Sequence, residues 1–526
     1  MEFFSYKQNM AFLLLWSVCC IILFQYFSVM YYSWAGDAAG FVDTLHNIAD
    51  GKGMVSSAFS SIYSLMPYLN SPLDYYSNAD YKSLHYMQDF SEWHPYLIAY
   101  LLASSQFLGL NALQVASGYM ALTLSGTLFL MAYFLRRYNV NSLYVLVFIG
   151  IVFFYPPFSG NIVGQFYFDR FFIFHELFLL FLLHVKFADR KSVPYWLIGV
   201  VFVLTVLISE RTAIMSSLSV LAFFLFYWKT WSLKEDYNIL LLPFFGFLYV
   251  LIYMYAFQHS PYYSQISFSS LIITFLTSMD FTTASGQKTL IFLMTLLPFI
   301  LLSLFNWKYL FLALMTILPN LIITIGGAEK IHFSTHYHDM YLPFLLFSST
   351  MGMLKVYEWK TKLKYPVFSI VIVLAIASNY IHYENNKAVF NIKSQVFGYS
   401  QILPNSSKNK ILQNNRDFFT AFFADIPHEA KVSALEYEMP SLVLRGLERI
   451  DYFPVGLNDN EYLVIEYVGE QNDSVPEIVS FVADANERKK IALFLQSKIS
   501  DNFTIEKKAF YLGKNFVIYK RIPKDK

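Results

Sequence analysis

A chain of 526 residues that is 56% hydrophobic, 19% aromatic and only 14% charged, with a mean hydropathy of +0.43, is too apolar to be a soluble globule of that length. Its net charge of +1 gives no electrostatic reason to expect nucleic acid, and no basic cluster interleaved with aromatics stands outside the loops that flank the apolar runs. The composition is that of a polytopic membrane protein. The two cysteines, Cys19 and Cys20, are neighbours inside an apolar run, where packing is their expected role.

In chain order, Met10 to Tyr32 is the first expected span. Lys7 precedes its roughly 22 uncharged residues, a run longer than a signal-peptide core, so it reads as an uncleaved anchor with the N-terminus in the cytoplasm. A polar, aromatic first outer loop follows, residues 33–94, holding Asp37, Asp43, His46, Asp50, Glu92 and His94. Pro95 to Leu110 is apolar but short. It reads as a re-entrant or surface helix, because a full span there would turn Arg136-Arg137 outward, against the positive-inside preference.

The remaining expected spans are Gln114 to Leu135, Ser142 to Tyr155, Phe171 to Phe187, Tyr195 to Ser209, Ala213 to Trp228, Ile239 to Phe257, Leu290 to Phe305, Tyr309 to Ile325, Met340 to Met353 and Pro366 to Tyr380. That makes about 11 transmembrane helices. Inner loops then carry Arg136-Arg137, Arg190-Lys191 and Lys360, Lys362 and Lys364, whereas the longer outer loops hold only Lys52, Lys82, Arg170, Arg211, Lys288 and Lys330. The expected organisation is a mostly α membrane domain over 1–381 and a small extracytoplasmic α/β domain over 382–526. Within the latter, Ile411 to Ile426 and Glu477 to Lys498 read as helices, Lys431 to Leu435 and Tyr462 to Tyr467 as strands, and Phe503 to Phe510 with Asn515 to Lys520 as a hairpin across Leu512-Gly513.

Mapped on this topology, the ionisable groups gather on the outer side. Of eleven histidines only His184 falls at an inner helix end. A transporter or lipid flippase would place its coupling groups near the midplane of two related halves, and neither midplane ions nor a clear repeat is visible, although that class and a non-catalytic membrane subunit both remain as alternatives. The spacing His332-x3-His336-x-His338-Asp339 suits a divalent metal, yet no cysteine or second clean pair accompanies it. No Asp-x-Asp motif and no Rossmann fingerprint supports a nucleotide-sugar donor.

Gly36-Asp37 through Phe41, Asn47, Gly51 and Gly53, then Trp93-His94-Pro95, Phe174-His175-Glu176, Ser209-Glu210-Arg211 and His336-Tyr337 before Tyr341-Leu342-Pro343 form an ordered set. It continues with Ile426-Pro427, Val432-Ser433-Ala434, Leu442, Arg445 and Phe453-Pro454. In order and spacing the chain resembles the bacterial membrane proteins grouped as domain of unknown function 2079, over nearly its whole length. That family is similar in layout to the GT-C glycosyltransferases, which carry an essential acid in the first outer loop and use polyprenyl-phosphate sugar donors. The resemblance implies a GT-C-like bundle in the bacterial inner membrane that transfers sugar to a glycan, lipid or protein acceptor on the periplasmic face. Here the usual acidic pair is a single carboxylate, Gly36-Asp37-Ala38.

Transfer from a lipid phosphate needs a base for the acceptor hydroxyl and cations for the departing phosphate. Asp37 is the candidate base, although an aspartate there also suits capping a helix whose apolar face is Phe41, Leu45 and Ile48. Arg170 and Arg211 are the candidate phosphate cations, against the alternative that Asp169 pairs with Arg170 and Glu210 with Arg211 to offset buried charge. Glu92, His94, His175, Glu176, Glu210, His336, Tyr337 and His338 complete the candidate substrate-binding set.

Overall fold

The computed structural model describes residues 6–33, 36–65, 96–164, 166–229, 232–256, 276–277, 279–322, 336–359, 364–385, 407–435, 438–447, 449–468 and 485–523. In chain order the helices are α1 (Tyr6–Met30), α2 (Gly36–Ala49), α3 (Ser57–Leu65), α4 (Ile98–Ser104), α5 (Ala112–Arg137), α6 (Ser142–Phe154), α7 (Pro156–Val163), α8 (Phe171–Phe187) and α9 (Tyr195–Val206). They continue as α10 (Glu210–Phe226), α11 (Leu233–Ala256), α12 (Ala284–Leu304), α13 (Trp307–Ile322), α14 (Leu342–Tyr357), α15 (Lys364–Asn385), α16 (Ser407–Phe422), α17 (Met439–Val443) and α18 (Ala485–Asn502). The strands are β1 (Lys431–Ala434), β2 (Arg449–Tyr452), β3 (Tyr462–Val468), β4 (Phe503–Tyr511) and β5 (Lys514–Arg521).

Each apolar run expected to span a bilayer forms a helix over its described residues. Among the described residues five qualify by length and composition: Phe12–Met30, Ala112–Arg137, Asp236–Tyr255, Ala284–Leu304 and Lys364–Ile381. The pair α6 and α7, bent by 68°, makes a sixth if it counts as one span. Its break has a local cause. Pro156 pushes the preceding Tyr155 into extended geometry, φ −66° and ψ 124°, where a helix cannot continue. Helices such as α9 and α14 fall short for a geometric reason: 12 and 16 residues at a rise of 1.5 Å reach about 18 and 24 Å, against a hydrocarbon core of about 30 Å. The chain is a multi-pass membrane protein by these helices, with a finer span count left to its proposed topology.

The chain divides into two compact units. The first comprises 1–27, 91–101 and 116–406; the second comprises 28–90, 102–115 and 407–526. The described part of the first outer loop, 36–65, therefore clusters with the C-terminal segment.

In the first unit α14 is buried on nearly every face, from Leu342 to Leu354, and α8 buries twelve of its residues, including Phe171, His175 and Glu176. A helix apolar all round belongs inside a bundle. Here α14 packs against α8, α12 and α13, and α12 packs in turn on α15. Close approach is permitted by Gly352, where a Cβ would lie 1.8 Å from the Leu302 carbonyl oxygen, so the α12 and α14 backbones meet there.

In the second unit the sheet order is β2-β1-β3-β5-β4, with β1 parallel to both β2 and β3, and the β3–β5 and β4–β5 pairs antiparallel. Leu463 and Ile465 of β3 pack with Leu435, Phe453, Val455, Leu457, Leu495, Ile499 and Phe503 to form its core. The expected hairpin turns at Leu512 and Gly513, φ +51° and +80°, the consecutive left-handed pair that a two-residue turn requires. Strand β2 and helix α17 were not expected. Arg449-Ile450-Asp451-Tyr452 has charge at alternate positions and too little apolar content to announce a strand. Of the helix expected over Glu477 to Lys498, residues up to 484 lie outside those described.

An exposed edge on β2 would leave its peptide groups unpaired. Helix α3 covers it with two serines one turn apart: Ser57 Oγ donates to the Ile450 carbonyl at 2.9 Å, the Ile450 N–H approaches the same hydroxyl at 3.0 Å, and the Tyr452 N–H donates to Ser61 Oγ at 2.7 Å.

Gly352→Ala should destabilise the protein in detergent by about 1–3 kcal/mol through overpacking. Gly150→Ala, whose Cβ would meet nothing within 4 Å, serves as the control and should leave the melting temperature level or slightly raised. Equal melting curves for the two variants would contradict the backbone contact at Gly352.

Candidate functional site

The polar centre of the first unit forms where two helices begin. A 3-10 turn, Phe168–Arg170, leads into α8, and Ser209 caps α10 with a reciprocal box. The Thr212 N–H donates to Ser209 Oγ at 3.4 Å, and the Ser209 N–H donates to Thr212 Oγ1 at 3.0 Å. That cap sets Glu210 and Arg211 in the first turn of α10.

Asp169, with no exposed surface, is the hub. It accepts from Tyr96 Oη at 2.9 Å, Arg211 Nη2 at 2.8 Å and Ser209 Oγ at 3.3 Å. The Arg211 side chain is 26% exposed, and its guanidinium is fixed by a buried carboxylate. Glu210 Oε1 stands 4.0 Å from Arg211 Nε, a looser ion pair.

Arg170 differs. It is wholly buried, donates from Nη1 to Asn161 Oδ1 at 2.5 Å and lies over the Tyr167 ring at 5.6 Å. Asp339, also without exposed surface, is the carboxylate that most offsets its charge. The sequence alternative that paired Asp169 with Arg170 is corrected: the partner of Asp169 is Arg211, and Arg170 is set among Asn161, Tyr167 and Asp339. A guanidinium so enclosed holds α7, α8 and the approach to α14 together.

The other candidates of this unit separate. His175 contacts the Phe171 carbonyl through Nδ1 at 2.7 Å and the Tyr119 hydroxyl through Nε2 at 3.0 Å. A carbonyl can only accept, so Nδ1 carries a proton. Glu176 accepts from Ser216 Oγ at 2.6 Å and Ser219 Oγ at 2.5 Å. Both side chains are buried and tie α8 to α5 and α10, which is an internal packing geometry. His336 opens the 3-10 turn His336–His338; Tyr337 is half-buried and its carbonyl accepts from Asn320 Nδ2 at 3.2 Å. His338 is buried with Nδ1 3.0 Å from Tyr341 Oη. Glu92, His94 and His332 lie outside the described residues. Among the described residues no three His, Cys, Asp or Glu side chains gather as metal ligands would.

Asp37 belongs to the second unit. It lies in the first turn of α2, half-exposed, with Phe41 and Leu45 buried beneath the helix and Ile48 half-buried. The helix begins at Gly36, so Asp37 is a first-turn residue rather than its cap. A carboxylate there is favoured by the unpaired N–H groups of the helix start. Two turns on, Asp43 is buried and accepts from Ser56 Oγ at 2.7 Å and Asn47 Nδ2 at 3.2 Å. Burial holds its carboxyl up at about 6, with the Ser56 hydroxyl acting the other way. Asp169, Asp339 and Asp43 are the buried acids that sequence reasoning left out of the site. The available signal was the Asp43-x3-Asn47 spacing on one helix face and, for Asp169, a carboxylate beside an apolar span.

Removing Arg211 takes from the buried Asp169 its ion-pair partner at 2.8 Å, a loss of up to about 3–5 kcal/mol. Arg211→Ala should therefore melt well below wild type, and adding Asp169→Asn should recover part of the loss. A double variant no more stable than Arg211→Ala would contradict the pair. No protein-family model matches this chain, and no curated protein matches it significantly.

Proposed function

We propose that this chain is a membrane glycosyltransferase of GT-C type, moving a sugar from a polyprenyl-phosphate donor to a glycan, lipid or protein acceptor on the periplasmic face of the bacterial inner membrane. The observation that carries the reading is the Asp169–Arg211 pair: a guanidinium anchored at 2.8 Å by a buried carboxylate, on a side chain that is 26% exposed. Such a cation is oriented before a ligand arrives, and guanidinium geometry matches phosphate oxygens. Arg170, enclosed by its own partners, is cast as structural support rather than as a phosphate contact.

Asp37 is the proposed base, being a half-exposed carboxylate at a helix start. As the acceptor oxygen bonds to the anomeric carbon, its proton passes to Asp37. The bond from that carbon to the phosphate oxygen breaks, and polyprenyl phosphate leaves with the electron pair. No step is drawn through a metal.

Purified protein in liposomes should transfer label from at least one radiolabelled polyprenyl-phosphate sugar. Asp37→Asn, which keeps shape and removes the base, should lower kcat about 10²–10⁴-fold. Absence of turnover by wild type across the common sugars, or full activity of Asp37→Asn, would overturn this reading.

A further inference from the structure

The carboxyl of Glu176 takes no part in the proposed transfer, and an ionised carboxylate there leaves its surroundings one hydrogen short. Glu176 has no exposed surface and lies on α8 against α10. Among the described residues its partners are two hydroxyls, Ser216 Oγ at 2.6 Å and Ser219 Oγ at 2.5 Å, and no lysine, arginine or histidine pairs with it. A carboxylate cut off from water and from any cation is among the most costly groups a bundle interior can hold. Taking up a proton relieves it.

Ser219 supplies a second, independent observation. Its Oγ also lies 2.8 Å from the Met215 carbonyl oxygen, one turn back on α10. A hydroxyl has one hydrogen to give, and a carbonyl has none. If Glu176 is ionised, the Ser219 hydrogen goes either to the carboxylate or to the carbonyl, and in the remaining contact two oxygens face each other at hydrogen-bond distance with no hydrogen between them. A proton on Glu176 Oε1 removes the conflict. The acid then donates to Ser219, Ser219 donates to Met215, and Ser216 donates to Oε2, so each contact holds its own hydrogen.

The charged and titratable groups of the surrounding helices are engaged elsewhere. Helix α8 packs on α9, α10 and α14. On α8 itself, His175 meets the Phe171 carbonyl and Tyr119, His184 meets Tyr309, and Lys186 pairs with Asp236. On α10, Arg211 is held by Asp169 with Glu210 beside it. The titratable side chain of α9 is Tyr195, bonded to Lys186; those of α14 are Lys355, paired with Glu358, and Tyr357.

We infer that Glu176 is a proton-binding site inside the helical bundle, filled at neutral pH, with Ser219 accepting the hydrogen bond of the bound proton. The site is reversible by construction. When the proton leaves, the Ser219 hydroxyl turns from Met215 to the carboxylate, so α8 and α10 stay joined through both serines while the charge goes uncompensated.

Infrared spectroscopy of the full chain at neutral pH, in nanodiscs of ether-linked lipid that lacks the ester carbonyl, reads the proton directly. The difference spectrum of wild type minus Glu176→Gln should show the carbonyl band of one carboxylic acid and no carboxylate band. Ser216→Ala, which takes the donor from the acid's carbonyl oxygen, should keep that band and move it to higher wavenumber; it serves if Glu176→Gln fails to fold. A carboxylate band in the difference spectrum, or a carboxylic-acid region identical in wild type and whichever variant folds, would overturn the proton site. No transfer activity is read here, so failure of this inference is separate from failure of the glycosyltransferase reading.

Discussion

A carboxylate with no access to solvent must be given its counter-charge and its donors by the fold, and Asp169 receives both from separated parts of the chain. Tyr96 comes from before α4, Ser209 and Arg211 from the start of α10, and Asp169 itself from the turn into α8. Satisfying that one charge brings these segments together and fixes the direction of the Arg211 guanidinium. Ser209 serves twice, as helix cap and as donor to Asp169, so the cap and the charge network stand or fall together. Behind them Arg170 and Asp339 extend the network toward α14, the most enclosed helix of the bundle.

The second unit solves a different problem, an exposed strand edge. Ser57 and Ser61 of α3 satisfy the peptide groups of β2 nearly four hundred residues further along the chain. The long polar segment after the first span thereby gains a structural role: it completes the sheet. Helix α2, carrying Asp37, is held in the same unit through α3 and α17.

Much of this was legible because periodicity and apolar runs are local. Helices α5, α6, α8 and α10 begin and end close to the expected positions, and the Leu512-Gly513 hairpin follows from its turn chemistry. Length was the weak point: apolarity marks a helix, but the twelve residues of α9 cannot cross about 30 Å of hydrocarbon unaided. Pairings between distant segments were not legible at all. Asp169 stands next to Arg170 in sequence, yet bonds Arg211, because adjacency in the chain does not decide which side chains meet inside a bundle. Strand β2 went unseen because its order comes from β1 on one side and from the serines of α3 on the other, rather than from its own composition.

Arg211 is proposed as a phosphate-binding cation oriented by Asp169. Equilibrium binding of polyprenyl phosphate, the product without its sugar, measures that role apart from turnover. Arg211→Lys keeps the charge and a partner for Asp169 but loses the planar fork. The account expects the lysine variant to bind about tenfold more weakly, a difference of about 1.4 kcal/mol, with its melting temperature close to wild type. Equal affinity of the two proteins for polyprenyl phosphate would contradict it.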